Sequence, residues 1–374
     1  MSDWLQTYLS TFSERKAAED YSIWSRPLDA HSYGEFSIAA VKTGLIMEDN
    51  SQVEAGQNAT VVGVYDGHGH PLASDYVSEK LFHHLLEAAN ENDAITEGVL
   101  KHAFQKTEEG FIDIVKKFPE YTAIGSCCLV GVIWKGKLYV ANLGDSGAVL
   151  GYLDSDNMIR SKGLTQSHHI SEERIRNELL ADHPDDPELL IQNVESDYKI
   201  KGVIEVSRTI GDAYLKVPGV PCHKLIPKFA VPIQKAILKS EPSVTDREIE
   251  ATDKFIIFAS AGLWKYISKP RAVEIVHTNP RNDIAKTLVE AALTVAATKK
   301  GMEYSDLKKM DQKERLKFHD DITVVVMFLD YARLKEIATM PGLSIQGFRN
   351  HSPVPSTFNV FKPSEFKGFD PTSI

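Results

Sequence analysis

Apolar positions along the chain fall into dense blocks separated by polar turns, and the spacing inside each block predicts its element. Residues 60–65, TVVGVY, form a short apolar run that ends at Asp66 in a Gly/His-rich turn. That pattern predicts a buried strand feeding a loop. Residues 36–43, FSIAAVKT, partly alternate and read as a strand. From 73 to about 89, Tyr76, Val77, Leu81, Leu85 and Leu86 recur at helical spacing, and Val99, Ala103, Phe111 and Val115 do so between 97 and 117. Strands follow at 127–133 (CCLVGVI) and 137–151 (KLYVANLGDSGAVLG), with Lys135 and Gly136 as a tight hairpin turn. Residues 171–180 read as a helix with Ser171 as its N-cap, and 181–200, with HPDDPE, as mostly loop. Residues 254–260 (KFIIFAS) and 322–329 (ITVVVMFL) read as strands, and 283–299 as an Ala- and Leu-rich helix.

Strand blocks alternate with helix pairs, and hairpins outnumber βαβ units. The expectation is an α+β fold of antiparallel sheets with helices packed outside, not a doubly wound parallel sheet. With no repeat and no linker, one domain is expected at 36–335. Residues 1–35 are mixed and polar and read as an N-terminal extension. Residues 336–374 read as a C-terminal tail, and the Pro, Ser, Gly and Asn from about 342 predict poor order there.

Composition narrows the function. Over 374 residues, 43% hydrophobic and 25% charged are ordinary for a soluble fold, and a core of this size needs no staples. A net charge of -10 argues against a general nucleic-acid binder and leaves room for a cation. Cys127, Cys128 and Cys222 lack the spacing of a disulfide framework or a zinc site. The two neighbours lie in an apolar run and read as core. The N-terminus does not have the pattern of a signal peptide, and no apolar run reaches the ~18–20 residues of a membrane span. A soluble protein of the cytoplasm and/or nucleus is expected.

Candidate chemistry sits at strand ends. Asp66 follows VVGVY, Asp145 lies in ANLGDSG, Asp320 and Asp321 precede ITVVVMF, and Glu48 and Asp49 follow GLIM. Polar residues are usual where a strand meets the surface, so any one of these alone says little. If they converge, several oxygen ligands plus water make a site for Mg²⁺ or Mn²⁺. The turn YDGHGH adds glycines that let backbone approach an ion, a carbonyl beside Asp66, and His68, which could protonate a leaving oxygen. Zinc on His68 and His70 competes as an idea, but i, i+2 is not a zinc pairing and no thiol lies near in sequence. His83 and His84 read as helix surface, His168 and His169 receive no role, and His319 reads as packing or as support for Asp320. Asn58 in N-A-T matches a glycosylation acceptor, a pattern frequent by chance.

The stretches VYDGHGHPLAS, LYVANLGDSGAVL, VSRTIGDAYLK, FIIFASAGLW and DDITVVVMF occur in this order over about residues 36–330. Together they resemble the motifs of the type 2C metal-dependent protein phosphatases. HPDDPE, IKGVIEVSRTIGDAYLK and YSDLKKMDQKERLKFHDDITVVV are most similar to a plant subgroup. The resemblance implies two stacked antiparallel sheets flanked by helices. It also implies a two-metal Mg²⁺ or Mn²⁺ centre whose water attacks the phosphorus of phosphoserine or phosphothreonine. Carried over by position, Asp66 would bridge both metals, Gly67 would offer its carbonyl, Glu48 would help hold the second metal, and Asp320 would bind the first. His68 would be the general acid, and Asp145 matches a weaker third position. Phosphoprotein substrates or kinases are the implied partners, and the implied state is a monomer.

The sequence departs from that family at the centre itself. The family's Ser-Asp-Gly-Leu-Trp, whose Asp binds the first metal, is here Ser260-Ala261-Gly262-Leu263-Trp264. The next residue, usually acidic, is Lys265. Gly44 and Gly147 stand where arginine is common, and His70 replaces a glycine. Two readings follow: a metal-dependent phosphatase with impaired turnover, or a pseudophosphatase that docks kinases or phosphoproteins.

Overall fold

The strand Ile322–Leu329 shows no polar alternation because both of its faces are buried. Ile322, Val324, Val326 and Phe328 point into a cluster shared with helices, while Val325, Met327 and Leu329 point into a second cluster between two sheets. The strand Ala59–Tyr65 repeats the arrangement, with Val61 and Tyr65 under helices and Val62 and Val64 between the sheets. Continuous apolar runs are what a strand covered on both sides requires. The computed structural model describes residues 4, 5, 8, 23–56, 59–192, 197–220, 233–332, 343–346 and 354–355.

Among these residues one sheet has six strands in the order Trp24–His31, Gly34–Val41, Ile322–Leu329, Asp253–Ala259, Gly147–Leu153 and Ile159–Gly163. The second has seven: Ser243–Glu248, Lys137–Leu143, Cys128–Trp134, Ala59–Tyr65, Asn50–Ala55, Leu343–Gln346 and Val354–Pro355. Every ladder in both is antiparallel. The sheets stack on the cluster that holds Phe36, Val62, Leu129, Phe258 and Val325. Helices Leu72–Asn92 and Glu97–Lys117 cover the outer face of the second sheet, and Lys269–Thr278 and Ile284–Lys299 cover that of the first. The result is the α+β sandwich of two antiparallel sheets flanked by helices that the sequence leads one to expect.

Three boundaries differ from expectation. Trp24–His31, within the stretch read as an N-terminal extension, pairs along Gly34–Val41 and, among the described residues, forms the edge of the first sheet. Its sequence, WSRPLDAH, hides the strand because Pro27 sits where the register shifts between Arg26 and Asp29, a placement an edge tolerates. The stretch 137–151 is two strands, broken at the turn Gly144-Asp145-Ser146, where Gly144 has φ +108°. Leu343–Gln346 pairs with Asn50–Ala55, so the second sheet recruits residues beyond 336. Residues 181–200, read as mostly loop, contain the small hairpin Leu190–Gln192 and Tyr198–Ile200. Further upstream, Leu5 and Tyr8 are buried against the helix Leu72–Asn92, and Trp4 Nε1 donates to Glu79. Asn58, Cys222, most of 1–22 and most of the tail from 333 lie outside the described residues. Among the described residues, no helix is long and apolar enough to cross a membrane.

Candidate metal centre

Antiparallel register decides which strand ends meet. In the first sheet Val41 pairs with Ile322, and Ala259 with both Val324 and Gly147. The loop after Val41, the residues before Ile322, the turn before Gly147 and the start of helix Ala261–Trp264 therefore share one edge. In the second sheet Asn50 pairs with Tyr65 and Cys128 with Leu143, which brings Asp49, Asp66, Cys127 and Asp145 to one edge as well. The Ala261 amide donates to Asp66 Oδ2 at 2.9 Å and ties the two edges together across the end of the sandwich.

The acidic residues divide by task. Asp321 is a backbone clamp: its Oδ1 accepts from the Thr43 amide and its Oδ2 from the Glu48 amide, both at 2.7 Å. Asp320 stands at the exposed lip, where its Oδ1 accepts the Asp321 amide at 2.9 Å. His319 supports this corner, with Nδ1 2.7 Å from the Asp320 carbonyl and its own carbonyl accepting the Thr43 hydroxyl. Gly67 is buried against Glu48. A Cβ there would run into the Glu48 carbonyl oxygen and the Ser74 hydroxyl, so only glycine admits this approach.

Crowded negative charge shapes the electrostatics. Burial, then Asp49, Asp145 and Asp320, push the Asp66 carboxyl well above the usual carboxylate range. Burial and Asp321 do the same to Asp49, partly offset by the Ser260 hydroxyl. Burial, then Asp321 and Asp320, raise Glu48 to about 7. Burial raises Asp321 to about 6 against the pull of its amide donors. Carboxylates so disposed repel one another unless a proton or a cation lies among them. Cys127 Sγ points at Asp145 Oδ1 (3.3 Å), and burial followed by that carboxylate raises its thiol pKa well above the ordinary value, which favours the thiol over the thiolate.

His68 lies on the short strand Gly67–His68, paired with Gly125–Ser126. Its Nε2 meets Asp212 Oδ2 at 2.8 Å. Burial alone would lower the imidazole, but the Asp212 charge and hydrogen bond, with Asp66 and Glu48, outweigh it and hold His68 at about 9. The balance favours the protonated ring, with Nε2 facing Asp212 and, among the described residues, no hydrogen bond at Nδ1. Gly125 makes the pair possible, because a Cβ there would overlap Asp212 Oδ2 and lie 2.6 Å from His68 Nε2. Asp212 has φ 50°, and its loop is pinned by Glu108 on the helix Glu97–Lys117. Glu108 Oε2 accepts the Gly211 amide and Oε1 the Lys216 ammonium, each at 2.8 Å. Asp212 and Glu108 have no assigned role in the sequence reading. The GD step in TIGDAY is the trace Asp212 leaves there, and the partner lies 144 positions away.

Among the described residues, no three His, Cys, Asp or Glu side chains converge tightly enough to hold a metal unaided. The donor chemistry still fits a hydrated hard cation, which needs one or two carboxylates, a carbonyl and water. Asp49 Oδ2 is buried with no hydrogen-bond partner among the described residues, and the surrounding carboxylates are the oxygen donors that Mg²⁺ or Mn²⁺ takes. Asp66, Asp320 and the Gly67 carbonyl would hold it, with Glu48 and Asp49 around its water. Ala261 stands directly beside Asp66, and its side chain carries no oxygen.

The protein-family model described as Protein phosphatase 2C matches residues 37–301. A chain named Probable protein phosphatase 2C 68, from Arabidopsis thaliana, is 48% identical over 353 residues, covering 91% of this chain and 89% of its own length. Probable protein phosphatase 2C 25, from Oryza sativa subsp. japonica, is 45% identical over 361 residues, covering 95% and 91%. The crystal structure of a serine-threonine phosphatase 2C from Toxoplasma gondii superposes with a TM-score of 0.55 at 16% identity, over 83% of this chain and 99% of that one, a likeness of fold.

Proposed function

The chain belongs to the protein phosphatase 2C family, and on that premise we propose that it hydrolyses phosphoserine and phosphothreonine in proteins with the aid of Mg²⁺ or Mn²⁺, at a rate limited by Ala261. The observation that carries this reading is one end of the sandwich where Asp66, Asp49, Glu48 and Asp320 crowd near His68, itself paired with Asp212. A bound divalent ion would neutralise the carboxylates, draw in the phosphate oxygens and supply an activated water. The chain's own residues do the rest. Asp66 accepts the Ala261 amide, which fixes the carboxylate in orientation. Asp321 holds the 43–48 loop so that Glu48 faces the centre. His68, oriented by Asp212, gives its Nδ1 proton to the departing seryl or threonyl oxygen, which would otherwise leave as a costly alkoxide.

A second reading is a pseudophosphatase that binds kinases or phosphoproteins without turning them over. Ala261 and Lys265 favour it, since one removes an oxygen ligand and the other brings positive charge to a neighbouring position. The test is release of phosphate from a phosphothreonine peptide, with Mn²⁺ and with EDTA, by the native chain and by Asp66→Asn. Mn²⁺-dependent release that is lost in Asp66→Asn supports the enzyme. Tight peptide binding with no release under any metal condition supports the binding module.

A further inference from the structure

Beside the carboxylate edge, a cleft of about 400 Å³ opens between residues 265–266, the C-terminal end of the helix Ile284–Lys299 and residues 316–320. Its walls carry four cations, Lys265, Lys299, Lys300 and Lys317, and a single carboxylate, Asp320. This reverses the sign of a chain whose net charge is -10. Lys317 is paired with Glu314 at 2.9 Å, but among the described residues no carboxylate pairs with Lys265, Lys299 or Lys300. All four lysines are exposed. The wall is braced: Lys299 Nζ lies 3.5 Å from the Lys265 carbonyl and 5.2 Å from the Tyr266 ring, whose hydroxyl donates to the Phe318 carbonyl at 2.6 Å. Asp320 lines the cleft and also acts on Glu48, Asp49 and Asp66, so the cleft adjoins the carboxylate centre.

We propose that this cleft seats an anionic stretch of the polypeptide substrate, either acidic side chains or a second phosphate, next to the phosphoresidue held at the centre. It rests on the phosphoprotein reading above and adds a sequence preference to it. A volume of this size suits several side chains of an extended peptide. Unpaired ammonium groups give charge complementarity without first having to break an internal ion pair. A neutral or basic flank would leave them unanswered, so discrimination comes from the cleft, while the centre reads the phosphate.

The experiment compares three fluorescent phosphothreonine peptides that differ only in the flanking residues: Gln-rich, Glu-rich, and Gln-rich with a second phosphothreonine. Anisotropy at low salt gives the affinity of the native chain and of the Lys299→Gln/Lys300→Gln double variant, and phosphate release is recorded alongside. An anionic flank should bind roughly three- to tenfold more tightly than the Gln-rich flank, and the double variant should lose most of that ratio. Which anionic arm gains more tells carboxylate from phosphate recognition. Equal binding of all three peptides to the native chain overturns the proposal, as does a ratio that survives in the double variant. Preferential binding without phosphate release keeps the cleft and removes the enzymatic reading. Release from all three with no preference keeps the enzyme and removes the cleft.

Discussion

Removing Glu108 should cost more than any other single change near His68, although it touches no reacting atom. Its carboxylate and the Lys216 ammonium are 10% and 7% exposed and lie 2.8 Å apart. Among the described residues Lys216 has one further acceptor, the Thr209 carbonyl, and the Gly211 amide is held by Glu108 Oε2. Glu108→Ala therefore takes the paired carboxylate from a buried ammonium and the acceptor from a buried N–H together. Breaking a buried pair from one side costs about 3–5 kcal/mol, and the orphaned amide falls largely within that sum. Glu108→Ala/Lys216→Met removes both charges and leaves only the amide, a cost of about 1–3 kcal/mol. The assay is urea unfolding at neutral pH for the native chain, both single variants and the double variant. The double variant should be more stable than Glu108→Ala. Turnover should fall in Glu108→Ala with KM retained, because the Gly211-Asp212 step loses its anchor. A single-variant loss below about 1 kcal/mol, or a double variant weaker than Glu108→Ala, would refute the argument.

Other outcomes can be checked singly. His168 Nδ1 accepts the Gly144 amide at 3.1 Å and its Nε2 meets Ser243 Oγ at 2.7 Å, so it must stay neutral to hold the Asp145 turn. Burial, then Arg208 and Arg174, lower it to about 3. The unfolded chain takes up this proton first, so the contribution is complete above about pH 6.5 and is lost as pH falls towards 3. His168→Gln should flatten the stability profile over that window, and an unchanged slope would remove His168 from the account. Gly125→Ala drives a methyl between His68 and Asp212 and should lower turnover roughly 10²-fold or more, with the fold retained by circular dichroism. Native turnover in that variant would show that the pair is not needed.

The parts of the molecule legible in sequence are those whose physics is local. Ile322–Leu329, Cys128–Trp134 and the helix Glu97–Lys117 announce themselves by apolar runs or helical periodicity. The carboxylates at strand ends are visible because Asp66 directly follows one such run and Asp320-Asp321 directly precedes another. Two other strands are not: Trp24–His31 holds Pro27 and polar residues because, among the described residues, one of its sides has no neighbouring strand to satisfy, and Leu343–Gln346 lies in a stretch of tail composition. The roles of Asp212 and Glu108 are set by contacts 144 and 103 positions distant. The division between Asp320 and Asp321 depends on which carboxylate faces the amides of 43 and 48, something neighbouring identical residues cannot disclose.

We propose above all that the carboxylate centre is weakened at one ligand position. The most direct test is a Mn²⁺ titration of phosphothreonine peptide hydrolysis by the native chain and by Ala261→Asp. Residue 261 begins a helix whose first amide already touches Asp66, so a carboxylate there would stand beside Asp66 and could join it in holding a divalent ion. Since ligand charge count sets the affinity of such sites, half-saturation should fall roughly tenfold or more and maximal turnover should rise. Identical Mn²⁺ dependence in the two proteins would contradict the account and place the reaction's metal requirement, if any, away from Ala261.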